Sequence, residues 1–176
     1  MGTRVVHTIG HSNRSLDEFL ELLAAHGIEE LVDIRTIPRS RHNPHFDADR
    51  LPAALAAAGV GYAHVKALGG LRRAGSDSVN AGWRNAWFRG FADYMATSDF
   101  EGGVSRLEAI ASRRRAAIMC AEAVPWRCHR SLVADALALR EWQVLHIQSR
   151  RIATPHAVTP FLKVRAGKPI YPAPDD

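Results

Sequence analysis

The stretch 5-VVHTIGHSNRSLDEFLELLAAHGIEELVDIR-35 decides the fold. Val5 to Ile9 is a short apolar run that ends in Gly10-His11-Ser12. Ser15, with Glu18 three residues on, makes a capping box, whose side chains satisfy the unpaired N–H groups of a first helical turn. Phe19, Leu20, Leu22 and Leu23 recur at helical spacing, Gly27 stops the helix, and Leu31 to Ile34 reads as a second strand ending at Arg35. The segment is a β-α-β unit, and repeated units of that kind build a parallel sheet.

The alternation continues outward. Leu51 to Ala58 is an Ala-rich helix closed by Gly59, and Tyr62 to Val65 follows as a third strand. Gly69 to Gly82, rich in Gly, Ser and Arg, reads as a long loop, and loops of that length in compact domains are usually functional. Helical patterns cover Trp83 to Met95 and Val104 to Ser112. Ala116 to Cys120 is a buried strand, His129 to Trp142 a helix, and Val144 to Ile147 the last strand. Beyond Arg151, Pro155, Pro160, Pro169, Pro172 and Pro174 predict a surface tail with little regular structure. The expected fold class is α/β: a single three-layer domain with a mostly parallel sheet of about five strands and helices on both faces. Residues 1–150 would form that domain, and residues 151–176 a Pro-rich C-terminal tail packed on it.

Composition agrees with this and excludes other classes. At 176 residues, 47% hydrophobic and 23% charged, the chain is neither disordered nor collagenous. Its longest apolar run, Leu51 to Val65, holds two glycines and falls short of the roughly 18 residues of a membrane span. The N-terminus lacks a secretory pattern, so the expectation is a cytoplasmic protein with no membrane partner. The two cysteines, Cys120 and Cys128, lie in one short stretch, which points to a reduced thiol rather than a disulfide framework. Lys and Arg total 23 against 18 Asp and Glu, and 20 of the 23 are Arg. Arginine's planar fork suits bidentate binding of phosphate or carboxylate, although a GC-rich genome also enriches Arg and Ala. Position therefore matters more than the total.

Ligands of open parallel sheets bind beyond the carboxyl ends of the strands, and the chemistry-bearing residues collect there. His11, Ser12 and Asn13 follow the first strand; Arg35, Arg39, Ser40, Arg41 and His42 the second; Cys120 and Glu122 the fourth. In Cys120-Ala121-Glu122-Ala123-Val124-Pro125-Trp126-Arg127-Cys128-His129-Arg130, a thiol faces the start of a helix, and Arg127, His129 and Arg130 add charge that favours the thiolate. This resembles the phosphate-cradling loop of cysteine phosphatases and rhodanese-like proteins, where a Cys is followed by five residues and an Arg. Here Arg127 follows after six, the loop lacks glycines, and Pro125 removes an amide donor. The likeness speaks for anion binding more than for a reaction. A packed core cysteine is the plain alternative for Cys120.

Other motifs are excluded or left open by their spacing. Seven residues between Cys120 and Cys128, with no second pair, argue against structural zinc, and no metal is expected. Gly10-His11-Ser12-Asn13-Arg14 has half of a nucleophile elbow, but Arg14 stands where the second glycine belongs, which disfavours a serine hydrolase. Tyr62 and His64 alternate as in any half-buried strand. Trp83, Trp87, Phe88, Phe91 and Tyr94, at helical spacing with Arg84 and Arg89, read as core, or as a base-stacking platform if exposed.

Gly10-His11-Ser12, Asp33-Ile34-Arg35 with Pro38-Arg39-Ser40 and Phe46, Leu68-Gly69-Gly70, and Cys120-Ala121-Glu122 followed by Cys128-His129-Arg130 form an ordered set. That set resembles the domain of unknown function 488 family from about Val5 to Ile147. The resemblance implies that His11, Ser12, Arg35, Arg39, Ser40, Cys120, Glu122, Cys128, His129 and Arg130 are the signature positions; it implies no particular reaction.

The leading expectation is an enzyme, hydrolase- or transferase-like, acting on a phosphate-bearing substrate, a nucleotide or nucleic acid. Cys120 would be nucleophile or thiolate ligand, and Glu122 or His11 the general acid or base. Ser12, Arg35, Arg39, Ser40, Cys128, His129 and Arg130 would bind the anion. The alternative is a non-catalytic module that binds nucleotide or nucleic acid through the same Arg-rich loops. A basic face that docks a protein partner is a third reading. The sequence names no cofactor and no oligomeric state.

Overall fold

The computed structural model describes residues 2–175. Its elements run β1 (Val5–Gly10), α1 (Leu16–Ala25), β2 (Glu30–Asp33), α2 (Leu51–Ala57), β3 (Gly61–His64), α3 (Ala86–Tyr94), α4 (Ser98–Ala111), β4 (Ala116–Cys120), α5 (Arg130–Leu139), β5 (Gln143–Ile147), β6 (Ala153–Pro155), β7 (Lys163–Arg165) and β8 (Lys168–Ile170). A six-stranded sheet has the order β3-β2-β4-β1-β5-β6, parallel throughout except for β6. The fold is α/β with three layers.

Side chains of successive strand residues point to opposite faces, so each strand feeds two cores. On one face Ile9, Leu31 and Met119 pack with Phe19, Leu22 and Leu23 of α1 and Leu51 and Leu55 of α2. On the other, Val6, Val32 and Ile118 pack with Phe91 of α3, Phe100, Val104 and Leu107 of α4, and Leu132 and Val133 of α5. Helix α5 is sunk deepest: every residue from Arg130 to Leu137 is buried. Ser15 caps α1 as its spacing predicts, its hydroxyl accepting from the Glu18 amide at 3.1 Å.

Two differences from the sequence reading have clear causes. Helix α3 starts at Ala86 rather than near Trp83, because the Asn85 side chain accepts from the amides of Trp87 and Phe88 and fixes the first turn there. The five expected strands are present as β1 to β5, and the expectation of an irregular tail is corrected by β6, which pairs with the open edge of β5, and by the β7–β8 hairpin. Pro155 fits an edge strand because no neighbour requires its missing N–H. Ala166 and Gly167 both have positive φ and form the two-residue turn of the hairpin. Asp135 of α5 holds this segment by accepting from His156 Nε2, the Thr159 amide and hydroxyl, and the Tyr171 hydroxyl, at 2.7 to 3.1 Å. Among the described residues no helix is long and apolar enough to cross a membrane.

Candidate functional site

β1 and β4 lie side by side at the centre of the sheet, yet the chain leaves them in opposite directions, through α1 on one face and α5 on the other. A crevice opens beyond carboxyl ends where connections diverge in this way. The pairing continues past the strands: the His11 amide donates to the Cys120 carbonyl and the Ser12 amide to the Ala121 carbonyl, both at 2.9 Å. Ser12 takes a positive φ of 51° to do so. Gly10 lets the two loops touch, since a Cβ there would overlap the Glu122 carbonyl and crowd the Arg130 guanidinium.

Arg130 opens α5 and is fully buried. Its Nη1 donates to Cys120 Sγ at 2.9 Å and to the Glu122 carbonyl, and its Nη2 donates to the Ala123 carbonyl at 2.9 Å. Its Nε finds no partner. Burial lowers its pKa to about 10, with the Glu122 charge acting in the opposite sense. A buried cation with no carboxylate bonded to it stabilises whatever anion it touches, and the atom it touches is the sulfur of Cys120.

Cys120 and Cys128 are joined through their sulfurs in a disulfide across the rim, with Cα atoms 7.4 Å apart, which corrects the expectation of a reduced thiol: the turn between them folds back and brings the two side chains together. Cys128 Sγ also accepts from the Arg130 amide at 3.4 Å and lies 3.5 Å from His129 Nδ1. His129 Nε2 is 3.1 Å from the Ile34 carbonyl, which can only accept, so the proton is on Nε2 and Nδ1 turns its lone pair to Cys128. Burial lowers the His129 pKa to about 4, and the ring packs edge-on against Phe91. The ring is neutral at physiological pH.

Arg35 is spent internally. Its Nε and Nη2 grip Asp33 at 2.9 and 2.7 Å, and Nη2 also donates to the Phe46 carbonyl. Tyr62 donates to the same Asp33 from its hydroxyl at 2.6 Å. The remaining Nη1 lies 3.5 Å from Nε2 of His11, whose Nδ1 donates to the Ser12 carbonyl. His11 is stacked on Phe46 and only 2% exposed; burial lowers its pKa.

The crevice itself encloses about 330 Å³. Arg35, Arg39, Cys120, Glu122, Cys128 and His129 line it together, and Arg130 closes its floor through Cys120. His11, Ser12 and Ser40 are not in the lining: His11 stands behind Arg35, Ser12 pairs with the 121 carbonyl, and Ser40 braces its own loop by accepting from the Asn43 amide. Sequence reasoning did not single out Ile37 and Leu71, which give the mouth an apolar wall. Their signal was a lone large apolar residue inside a polar loop. Arg127 and Trp87 also line the crevice, and of the aromatic stripe on α3 it is Trp87 that stays open. Among the described residues no three His, Cys, Asp or Glu side chains gather as a metal site.

Comparison with curated proteins finds no match, and comparison with solved structures finds none. Residues 15–137 match the family described as Domain of unknown function DUF488. That span carries β2, β4 and the start of α5, and with them Arg35, Arg39, Ser40 and the whole run from Cys120 to Arg130; the chain belongs to this family.

Proposed function

We propose that the crevice is the active site of a thiol-dependent enzyme acting on a phosphate-bearing substrate. The observation that carries this reading is the buried guanidinium of Arg130, bonded to Cys120 Sγ at 2.9 Å and to no carboxylate. In the reduced protein such a neighbour draws the thiol toward its nucleophilic form. Arg39 and Arg127, both exposed at the mouth, supply the charge that meets the phosphate. Sγ attacks phosphorus, the S–P bond forming as the bond to the leaving oxygen breaks; water or an acceptor hydroxyl then attacks the same phosphorus, and the S–P bond breaks to return the thiolate. Glu122, also open to solvent, carries the proton between the leaving oxygen and the incoming water or acceptor. His11, neutral and buried, acts by holding Arg35, and Arg35 with Asp33 keeps the loop after β2 in place. Ser12 and Ser40 support the loops that carry the site.

The test is alkylation of each cysteine in the reduced protein against pH, resolved by mass spectrometry, with and without inorganic phosphate and a nucleotide mixture. Cys120 is expected to titrate well below the reference of about 8.5 and to be protected by phosphate. Turnover of any phosphate ester found by screening is expected to vanish in Cys120→Ser and to fall in Glu122→Ala. A Cys120 that stays inert until the chain unfolds overturns the reading.

A further inference from the structure

A second cleft of about 580 Å³ lies beside the crevice, and the two share one lining residue, Trp87. Both run along the same pair of segments. Gly70 and Leu71 of the long loop and Phe88 of α3 face the first; Arg72 and Arg73 of that loop and Arg89 of α3 face the second. Trp87 is 58% exposed, whereas Phe91, one turn on, is fully buried. A large ring left in water between two clefts is a surface kept for contact with something flat.

The charges lie on both sides of that ring. Arg39 and Arg127 stand in the first cleft; Arg72, Arg73 and Arg89 stand in the second. Glu122 is the one carboxylate in either lining. Arg72 is held rigidly, its guanidinium 3.6 Å above the ring of Tyr94 and its Nε donating to the Gly69 carbonyl at 3.2 Å. Arg73 is exposed.

We infer that the two clefts form one groove for single-stranded nucleic acid, in which a base stacks on Trp87 and the phosphates before and after it meet the two arginine sets. The inference rests on the proposed phosphate chemistry of the first cleft and names its substrate class. A mononucleotide carries phosphate on one side of its base only and would leave one arginine set unused. A duplex keeps its bases stacked on each other and cannot offer one to an indole. A phosphopeptide supplies charge without a flat ring beside each phosphate. Stacking on an aromatic platform flanked by cations is how single strands are held without sequence preference.

The experiment is fluorescence anisotropy of the reduced full chain with a labelled single-stranded oligonucleotide of about twelve nucleotides, against salt. Affinity is expected to exceed that for a mononucleotide and for the matching duplex, and to fall with salt by about 0.7 log units per log unit for each phosphate held. Trp87→Ala is expected to weaken the oligonucleotide about tenfold, and Trp87→Phe to restore most of it. Arg73→Ala with Arg89→Ala should flatten the salt slope by about 1.4. Equal binding of duplex, mononucleotide or a phosphopeptide, or no effect of Trp87→Ala, overturns the groove. If phosphate still protects Cys120 in that case, the first cleft stands as a small-molecule site; if protection is absent as well, both readings fall.

Discussion

Arg130 has been taken out of water without a carboxylate to meet it, an arrangement that costs free energy and is kept only where something offsets it. Two loop carbonyls and one sulfur do so here. Arg130→Met leaves those carbonyls with no donor and the sulfur with no cation. We expect it to destabilise the fold by about 3 kcal/mol in urea titration and to slow alkylation of Cys120 at neutral pH by tenfold or more. A variant that keeps wild-type reactivity would show that the guanidinium only props the loop. The sequence made this residue visible as an anion donor at the start of a helix, with Arg127 and His129 as further charges near the thiol. What it did not reveal is the division between them: Arg127 is exposed on a short 3-10 turn, while Arg130 is carried under Cys120 by the first turn of α5. Spacing along a chain does not reveal which way a loop turns a side chain.

At the scale of elements, the tail is held by Asp135. Its carboxylate is fully buried and accepts from His156, from Thr159 twice and from Tyr171. His156 Nδ1 in turn meets His146 Nε2 at 2.9 Å, and His146 Nδ1 meets the Thr8 hydroxyl, so one chain of hydrogen bonds ties α5, β5, β1 and the tail. Asp135→Asn turns one accepting oxygen into a donor that opposes the two donors it met, since each carboxylate oxygen accepts twice. It should cost about 3 kcal/mol and admit limited proteolysis after residue 148 while the sheet keeps its circular dichroism. Cleavage no faster than in wild type would mean that Tyr171 packing alone secures the tail. The strands and helices up to β5 were legible because hydrophobic period and caps are local signals. This attachment was not, because its determinants are single polar residues up to 36 positions apart.

Over the whole molecule, burial keeps several histidines neutral. The pKa values of His7 and His129 fall to about 4 and that of His146 to about 3, in each case chiefly through burial. In the unfolded chain they take protons near 6.5. Their contribution to stability is therefore present above about 6.5 and is lost as pH falls toward 4, since the unfolded state binds the protons that the folded state refuses. Melting temperature should drop steadily across that window, and His7→Leu should lessen the drop, because His7 Nδ1 is buried with no partner. A flat profile between pH 6.5 and 4.5 would show that these rings reach water. None of this could be read from nine histidines in a sequence, because burial is a property of the packed chain.

The rungs joining His11 to Cys120 and Ser12 to Ala121 bring together residues more than a hundred positions apart. During synthesis β1 waits, with neither sheet neighbour available, until the hundred or so residues that separate it from β4 have been made. Such long-range closure is slow to form. Half of the rim has no independent existence: a chain halted before β4 carries His11 and Arg35 but lacks the loop from Cys120 to Arg130 that faces them, so the crevice is completed late and all at once.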